Sequence, residues 1–418
     1  MVELHDHALP DVELIAPAGS YESLIAAIHA GAHAVYFGVE QLNMRARSSV
    51  NFTLEDLEKI SRICGERHVK TYLTLNTILY SHDISLMRTI VSHAKASGIH
   101  AIIASDHAVL AYGKQIGMPM HISTQVNITN IETVEFYAAY ANVMVLSREL
   151  SLSQVAEIVR EIHHRQIKGP SGELVRVEVF AHGALCMAVS GKCYLSLHTY
   201  YASANRGACL QNCRQSYVVT SKEDGTEFEV DNEYIMSAKD LCTIAFLDKV
   251  LGAGVGLLKI EGRGRSPEYV DTVVSCYQQA IQAIQEGTYT KEKIEDWTRR
   301  LSTVYNRGFW DGYYLGRKIG EWNDAYGSKA TERKIFLGQC VKYYPKIMVG
   351  EFGMEAHALT RGDEILIIGP SVGVIRAQIE EMRKDNVNVD KVEKGDRFSI
   401  RIPAKITTSC KLYKVVNT

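Results

Sequence analysis

Thr71-Tyr72-Leu73-Thr74-Leu75, an amphipathic interval closed by Gly98, then Ala101-Ile102-Ile103-Ala104: this stretch sets the reading of the chain. Each run is too apolar to carry a wet face, so each reads as a strand buried on both sides. A helix-length interval between two such strands is the sequence form of a β-α-β unit. The unit recurs in both directions. Upstream lie Glu13-Leu14-Ile15 and Ala34-Val35-Tyr36-Phe37. Downstream lie His121-Ile122-Ser123, Val143-Met144-Val145-Leu146, Val177-Glu178-Val179-Phe180 and Leu257-Leu258-Lys259-Ile260.

The intervals carry helix start and stop signals. Ser20 precedes Tyr21-Glu22-Ser23, Thr53 stands as an N-cap with Asp56 at the third helical position, and Ser151 is followed by Gln154 in a capping box. Gly31, Gly98 and Gly254 sit just ahead of strands, where a helix ends in a left-handed residue. Eight strand–helix units in series predict a (β/α)8 TIM-type barrel, an α/β fold, over residues 1–286. An open doubly wound sheet is the runner-up.

One connection breaks the rhythm. From His182, at the end of strand seven, to the next expected helix near Lys239 the chain runs far longer than a barrel loop. We read 183–238 as an insert leaving the strand's C-terminal end, the face on which barrel active sites are built. Beyond the barrel, 287–330 reads as a charged, aromatic helical arm and linker. Residues 331–418 turn to short strands at 336–343, 364–368, 372–375, 398–402 and 412–416, which predicts a small all-β domain, a barrel by preference. That domain holds 15 Lys+Arg and 11 Asp+Glu, a charge of +4 on a chain whose net charge is −2.

The chain has 418 residues, 46% of them hydrophobic and 22% charged, which suits two ordered domains and excludes disorder. Its small net charge confines any nucleic-acid contact to a local patch. The opening residues carry no secretory signal pattern, and His5-Asp6-His7 reads as a frayed tail. No apolar run is long enough to span a membrane. A cytoplasmic location is the expectation, and with it reduced cysteines.

Five of the nine cysteines are scattered singly: Cys64, Cys242, Cys276, Cys340 and Cys410 read as small buried apolar residues. The other four, Cys186, Cys193, Cys209 and Cys213, fall in the insert with the spacing C-x6-C-x15-C-x3-C. Four soft thiolates can complete a zinc site or an iron–sulfur cluster. Zinc knuckles use tight C-x2-C pairs, which are missing here, so the wide gaps favour a cluster without excluding zinc.

Strand eight continues into Lys259, Glu261 and Arg263, alternate residues that point into the barrel mouth. There the cations can clamp a dicarboxylate or phosphate, or the three can close the barrel as a structural ion pair. Glu178 and His182 lie on strand seven and at its end. A cysteine protease would need a Cys–His pair with an orienting group. His182 is near Cys186 in sequence, but Cys186 is better used as a ligand, and neither a Gly-x-Ser-x-Gly elbow nor a His-Glu-x-x-His helix occurs.

The segments Glu178 to Cys186 and Gly191-Lys192-Cys193-Tyr194-Leu195-Ser196 resemble the signature of the collagenase-like U-type peptidase family. Asn205-Arg206-Gly207-Ala208-Cys209, Cys213-Arg214 and Lys259 to Arg263 match its continuation, as do Ala16 to Gly19, Ala34 to Gly38, and Asn43 to Arg47 followed by Asn51-Phe52. The resemblance runs from about residue 13 to the end. Within the family the domain order is most similar to prephenate-dependent tRNA uridine hydroxylases, which make 5-hydroxyuridine at the wobble position. Relatives act on ribosomal RNA or quinone precursors. The resemblance implies a [4Fe–4S] cluster on Cys186, Cys193, Cys209 and Cys213, with Cys242 as the reserve for Cys213. It also implies prephenate as co-substrate and tRNA as partner, and it places Arg45, Asn76, Gln125 and Arg148 around the mouth as substrate contacts. By their place at strand ends Glu178, His182, Lys259, Glu261 and Arg263 are the catalytic candidates, with a buried structural pairing as the other reading of Glu178. Arg206, beside Cys209, either holds an anionic substrate near the cysteines or makes a plain salt bridge. The alternatives are a peptidase and a non-catalytic RNA-binding protein with a structural zinc.

Overall fold

The structure, a computed structural model, describes residues 11–418 apart from 48–49, 216, 218, 226, 229–235, 318–319 and 324–326. The His5-Asp6-His7 reading therefore lies outside the described residues. Eight parallel strands form a closed barrel: β1 (Glu13–Pro17), β2 (Ala34–Phe37), β3 (Lys70–Leu75), β4 (Ala101–Ala104), β5 (Met120–Ile122), β6 (Val143–Val145), β7 (Arg176–Ala184) and β8 (Leu257–Ile260). Each pairs with its sequence neighbour, and β8 closes the ring by pairing with both β1 and β7. These are the eight runs identified above. They were legible because both faces are buried: the outer face packs under helices, and the inner face fills the barrel with Ile15, Ala34, Tyr36, Tyr72, Ala101, Ile103, Val143 and Leu257.

Local signals act largely as read. Ser20 caps the helix Tyr21–His29 by accepting from Ser23 N, and Ser151 and Gln154 form the capping box of the helix Leu152–Arg165. Gly31, Gly98 and Gly254 have φ of +91°, +75° and +82°. At Thr53 the helix proper begins later, at Asp56 with Glu55 as N-cap, because Thr53 N donates to Asp56 Oδ2 at 2.9 Å across a preceding turn. Only the reciprocal half of the box is made.

Two expectations need correcting. The segment expected to enter a helix near Lys239 first forms a strand, Asp240–Cys242, antiparallel to the upper half of β7, and the helix begins at Leu247. The linker 287–330 contains the helix Lys291–Thr303, as expected. It also contains a strand, Phe309–Trp310, that pairs in parallel with Asp240–Cys242 and so extends the barrel sheet.

The C-terminal part is a domain built on an eight-stranded antiparallel sheet, with a further two-stranded sheet of Ala358–Thr360 and Lys391–Glu393, around a second core that includes Leu337, Phe352, Ile367, Phe398 and Leu412. The strand Val349–Met354 went unread because Gly350 and Gly353 dilute its pattern. The glycines nearby serve close approach: a Cβ on Gly338 would run into the Gly353 carbonyl of the paired strand. The domain is seated on the barrel through Gly373, whose Cβ would stand 2.6 Å from Ala26 N, and through Lys334 to Glu268 at 2.7 Å. Among the described residues no helix is long and apolar enough to cross a membrane.

Candidate functional site

The C-terminal ends of the barrel strands open into a cavity of about 390 Å³, roofed by the insert. Arg214 ties the two ends of that roof together: its guanidinium donates to Leu185 O at 2.6 Å and to Ala238 O at 2.7 Å. The roof is stitched down onto three mouth loops by Arg47 N to Gly207 O (3.1 Å), Ile78 N to Asn205 O (3.1 Å) and Asn127 Nδ2 to Ser190 O (3.0 Å).

Lys259 forms the floor. Its ammonium stands 4.5 Å from the centre of the Tyr36 ring and 2.6 Å from Glu178 Oε1, with both partners buried. Burial pushes the Glu178 carboxyl above its usual range while Lys259 opposes that rise. Below lies His121, with Nδ1 3.9 Å from Glu178 Oε2. Burial, helped by Lys259, pushes His121 down to about 3, so it is neutral. The interior chain ends at Glu13, which accepts from Tyr72 and from Lys70 at 2.6 Å.

Above the floor, Glu261 meets Arg45 at 3.1 Å. Burial raises the Glu261 carboxyl, but Arg45 and Arg265 outweigh it and hold the group below its usual range. Arg263 donates to Asn43 Oδ1 at 3.0 Å and to Thr74 Oγ1 at 2.8 Å, and burial lowers it to about 10. Arg148 donates to Ser190 Oγ at 3.0 Å, and Asn76 donates to Gln125 at 3.1 Å. Arg45, Asn76, Gln125, Arg148, Lys259, Glu261 and Arg263 therefore share one cavity, as the strand-end reading required.

Three candidates do not line it. Glu178 sits behind Lys259 and reaches the cavity only through that ammonium. Arg206 is bound to Asp83 at 2.5 Å and stacks on Tyr80 at the rim. His182 faces away, for a specific reason. Strand β7 points Arg176, Glu178 and Phe180 one way, but its register against β8 slips after Phe180, so His182 pairs with the outward Ile260. The bulge turns His182 into the layer outside the barrel, 3.4 Å from Tyr277 Oη. Burial there pushes it down to about 3.

Two lining residues escaped the sequence reading. Arg265 continues the alternation of 259, 261 and 263, and that was the available signal. Arg307 comes from the supposed linker. The buried Asp240 positions both, 3.6 Å from Arg265 and 3.4 Å from Arg307. With Arg214, the cavity wall carries seven cations and one carboxylate, Glu261, among the described residues. None of the lining residues is a histidine.

Cys186, Cys193, Cys209 and Cys213 all line the roof of the same cavity. The Cys213 thiol is raised by burial, lowered by Arg214 and raised again by the other three cysteines, which places those three within electrostatic reach of Cys213. Cys242 lies outside, buried against Tyr277, with its thiol pushed up to about 11 by burial. Among the described residues no three His, Cys, Asp or Glu side chains converge on a single-ion site. A mononuclear zinc needs donors within about 2.0–2.3 Å of one point. Four cysteine thiols on one wall are also the ligand number of a body of several irons, each taking one thiolate. The donor set fits an iron–sulfur cluster.

Residues 19–324 match the family model described as peptidase family U32. A Porphyromonas gingivalis protein named collagenase is 54% identical over 97% of this chain and 98% of its own length. The tRNA hydroxylation protein P1 of Bacillus subtilis is 28% identical over 90% of this chain and 88% of its own. The 23S rRNA 5-hydroxycytidine C2501 synthase of Escherichia coli is 33% identical over 66% of this chain and 40% of its own.

Proposed function

The chain belongs to peptidase family U32, and from that premise we propose that it is an RNA-modifying member: a tRNA hydroxylase that converts the wobble uridine to 5-hydroxyuridine with prephenate as co-substrate. One observation carries the reading: four thiols and seven cations face a single cavity at the barrel mouth. The cations suit an anionic nucleotide and a dicarboxylate together. Cys186, Cys193, Cys209 and Cys213 would hold the cluster. When bound it supplies redox chemistry that no side chain provides. The chain's own groups do the rest. Lys259 and Arg263 hold the anionic co-substrate on the floor, Arg45 and Arg148 orient the flipped base from the side, and the roof excludes water. A cytoplasmic site of action belongs to the same proposal.

The name collagenase on a relative favours a peptidase as the second reading. The cavity supports it poorly. A thiol nucleophile needs a histidine within hydrogen-bond reach, and His182 and His121 both lie outside the lining. Ribosomal RNA or a quinone precursor as substrate remains the third.

The test is mass spectrometry of nucleosides from bulk tRNA. Deleting the gene should remove 5-hydroxyuridine and its derivatives, the wild-type gene should restore them, and the Cys209→Ala gene should not. Starvation for prephenate should copy the deletion. Unchanged tRNA with altered ribosomal RNA or quinone moves the substrate. Cleavage of a peptide by purified cluster-free protein overturns the reading.

A further inference from the structure

We propose that the outer face of the cavity roof is a stacking platform for single-stranded RNA, an inference that rests on the RNA reading above and deepens it. The short helix Leu195–Tyr200 is built inside out. Its inner residues Leu195 and Ser196 line the cavity, and Ser196 is buried, with Oγ accepting from Leu210 N at 3.1 Å and bonding Asn212 at 3.3 Å. Its outer side and its two ends expose large residues, Tyr194, Leu197, Tyr200 and Tyr201. His198 N bonds Tyr194 O at 2.8 Å and Tyr201 N bonds Leu197 O at 2.9 Å, the helical spacing that sets Tyr194, Leu197, His198 and Tyr201 on one side. Tyr194 is 72% exposed and Tyr201 is 93% exposed. A helix that turns serine inward and tyrosine outward takes its pattern from something beyond the chain.

Tyr201 adds a second sign. It ends the helix with φ of +54°, a position where glycine or asparagine is the low-cost choice. A tyrosine there gains no contact inside the fold, so its ring serves an external surface.

Charge identifies the occupant. From Val179 to Lys222 the sequence has 44 residues without one Asp or Glu, although the whole chain holds 48 acids in 418 residues. The same stretch presents exposed Lys192 and Lys222, while its Arg214 faces the cavity and its Arg206 is paired with Asp83 at the rim. At the rim, the Arg206 guanidinium stacks 4.3 Å from the ring centre of the exposed Tyr80. Exposed aromatics on a stretch that carries no acidic side chain of its own fit unpaired bases on a phosphate backbone, because every base has a face to stack and every linkage a charge to meet. Leu195 and Ser196 line the cavity, so bases stacked on the outer side of this helix would lie one wall away from a uridine flipped into it.

The test uses full-length cluster-loaded protein and two probes: a stem–loop RNA with a uridine-containing single-stranded loop, and its stem closed as a blunt duplex. Wild-type protein should prefer the stem–loop. Tyr194→Ala and Tyr201→Ala should each weaken it by roughly tenfold with little change for the duplex, and Tyr201→Phe should bind as wild type. Circular dichroism and visible absorption should be unchanged, since both rings are solvent-exposed. Variants that bind as tightly as wild type would overturn the platform while leaving the RNA reading intact, provided the wild-type gene still restores the hydroxylated nucleoside. Wild-type protein that binds neither probe overturns both. Unchanged RNA binding with a fall in solution mass would assign the face to a second protein chain and overturn the proposal.

Discussion

Lys259 Nζ and Glu178 Oε1 lie 2.6 Å apart at the floor of the cavity, and neither side chain has more than 6% of its surface exposed. Only Lys259 reaches the cavity. The pair is thus both a structural ion pair and the presentation of a charge. Removing one member of a buried pair costs about 3–5 kcal/mol, whereas removing both in favour of apolar groups is close to neutral. Lys259→Met should therefore destabilise the protein strongly in urea unfolding, and Lys259→Met with Glu178→Leu should recover most of the loss. Neither should restore nucleoside modification. Recovery of modification in the double variant would reduce the pair to a structural role.

His182 gives the second prediction. Burial holds both His182 and His121 near 3, below the ordinary histidine value of 6.5. In the unfolded chain both take up protons as pH falls through 6.5, and the folded state refuses them. The stability they contribute is thus full above 6.5 and is lost progressively toward 3, at about 1.4 kcal/mol per pH unit for each group. His182→Phe, packed against Tyr277 and Phe309, should remove its half of this loss, leaving the part due to His121, and leave modification near wild type. If modification falls instead and the acid profile does not change, His182 acts in the chemistry.

These two residues also mark what the sequence could convey. The eight barrel strands were readable because burial on both faces leaves a continuous apolar run, and alternation along β8 correctly aimed Lys259, Glu261 and Arg263 at the mouth. Alternation failed at His182 because a one-residue bulge in β7 reverses the faces, and nothing local in Phe180-Ala181-His182 announces it. Arg307 was hidden for another reason. It reaches the cavity only because a two-residue strand, Phe309–Trp310, adds to the sheet far from its neighbours in sequence. Arg206 looked like a substrate group beside Cys209, and its pairing with Asp83 depends on a loop more than a hundred residues away.

The cysteine wall yields the third prediction. Protein made without oxygen should hold iron and acid-labile sulfide in equal amounts, near four of each for a cubane. Cys186→Ala, Cys193→Ala, Cys209→Ala and Cys213→Ala should each remove most of both. Cys242→Ala should keep both, because its thiol is turned toward Tyr277 and not toward the cavity. Stoichiometric zinc without iron would sink the cluster assignment. Loss of iron in Cys242→Ala with retention in Cys213→Ala would reassign the fourth ligand.

The fourth prediction concerns the +4 domain of residues 331–418. It contributes none of the cavity lining, so any part in RNA binding is electrostatic. Exposed Lys346, Arg401 and Lys405 gather at one end of its sheet, where Val349 pairs with Arg401 and Ile402 N bonds Met348 O at 2.7 Å. Each cation that meets a phosphate releases about one counterion, so each adds about 0.7–0.9 to the slope of log affinity against log salt. Replacing all three with serine should lower that slope by about 2 and weaken tRNA at low salt far more than at high salt. The substitutions are at exposed positions and should leave the melting temperature within a few degrees. Gly373→Val is the useful contrast. It pushes the domain off Ala26 and strains a left-handed backbone, so it should lower the melting temperature without removing any cation. If the triple variant keeps the wild-type slope, the domain is a structural companion of the barrel and RNA is held by the roof alone.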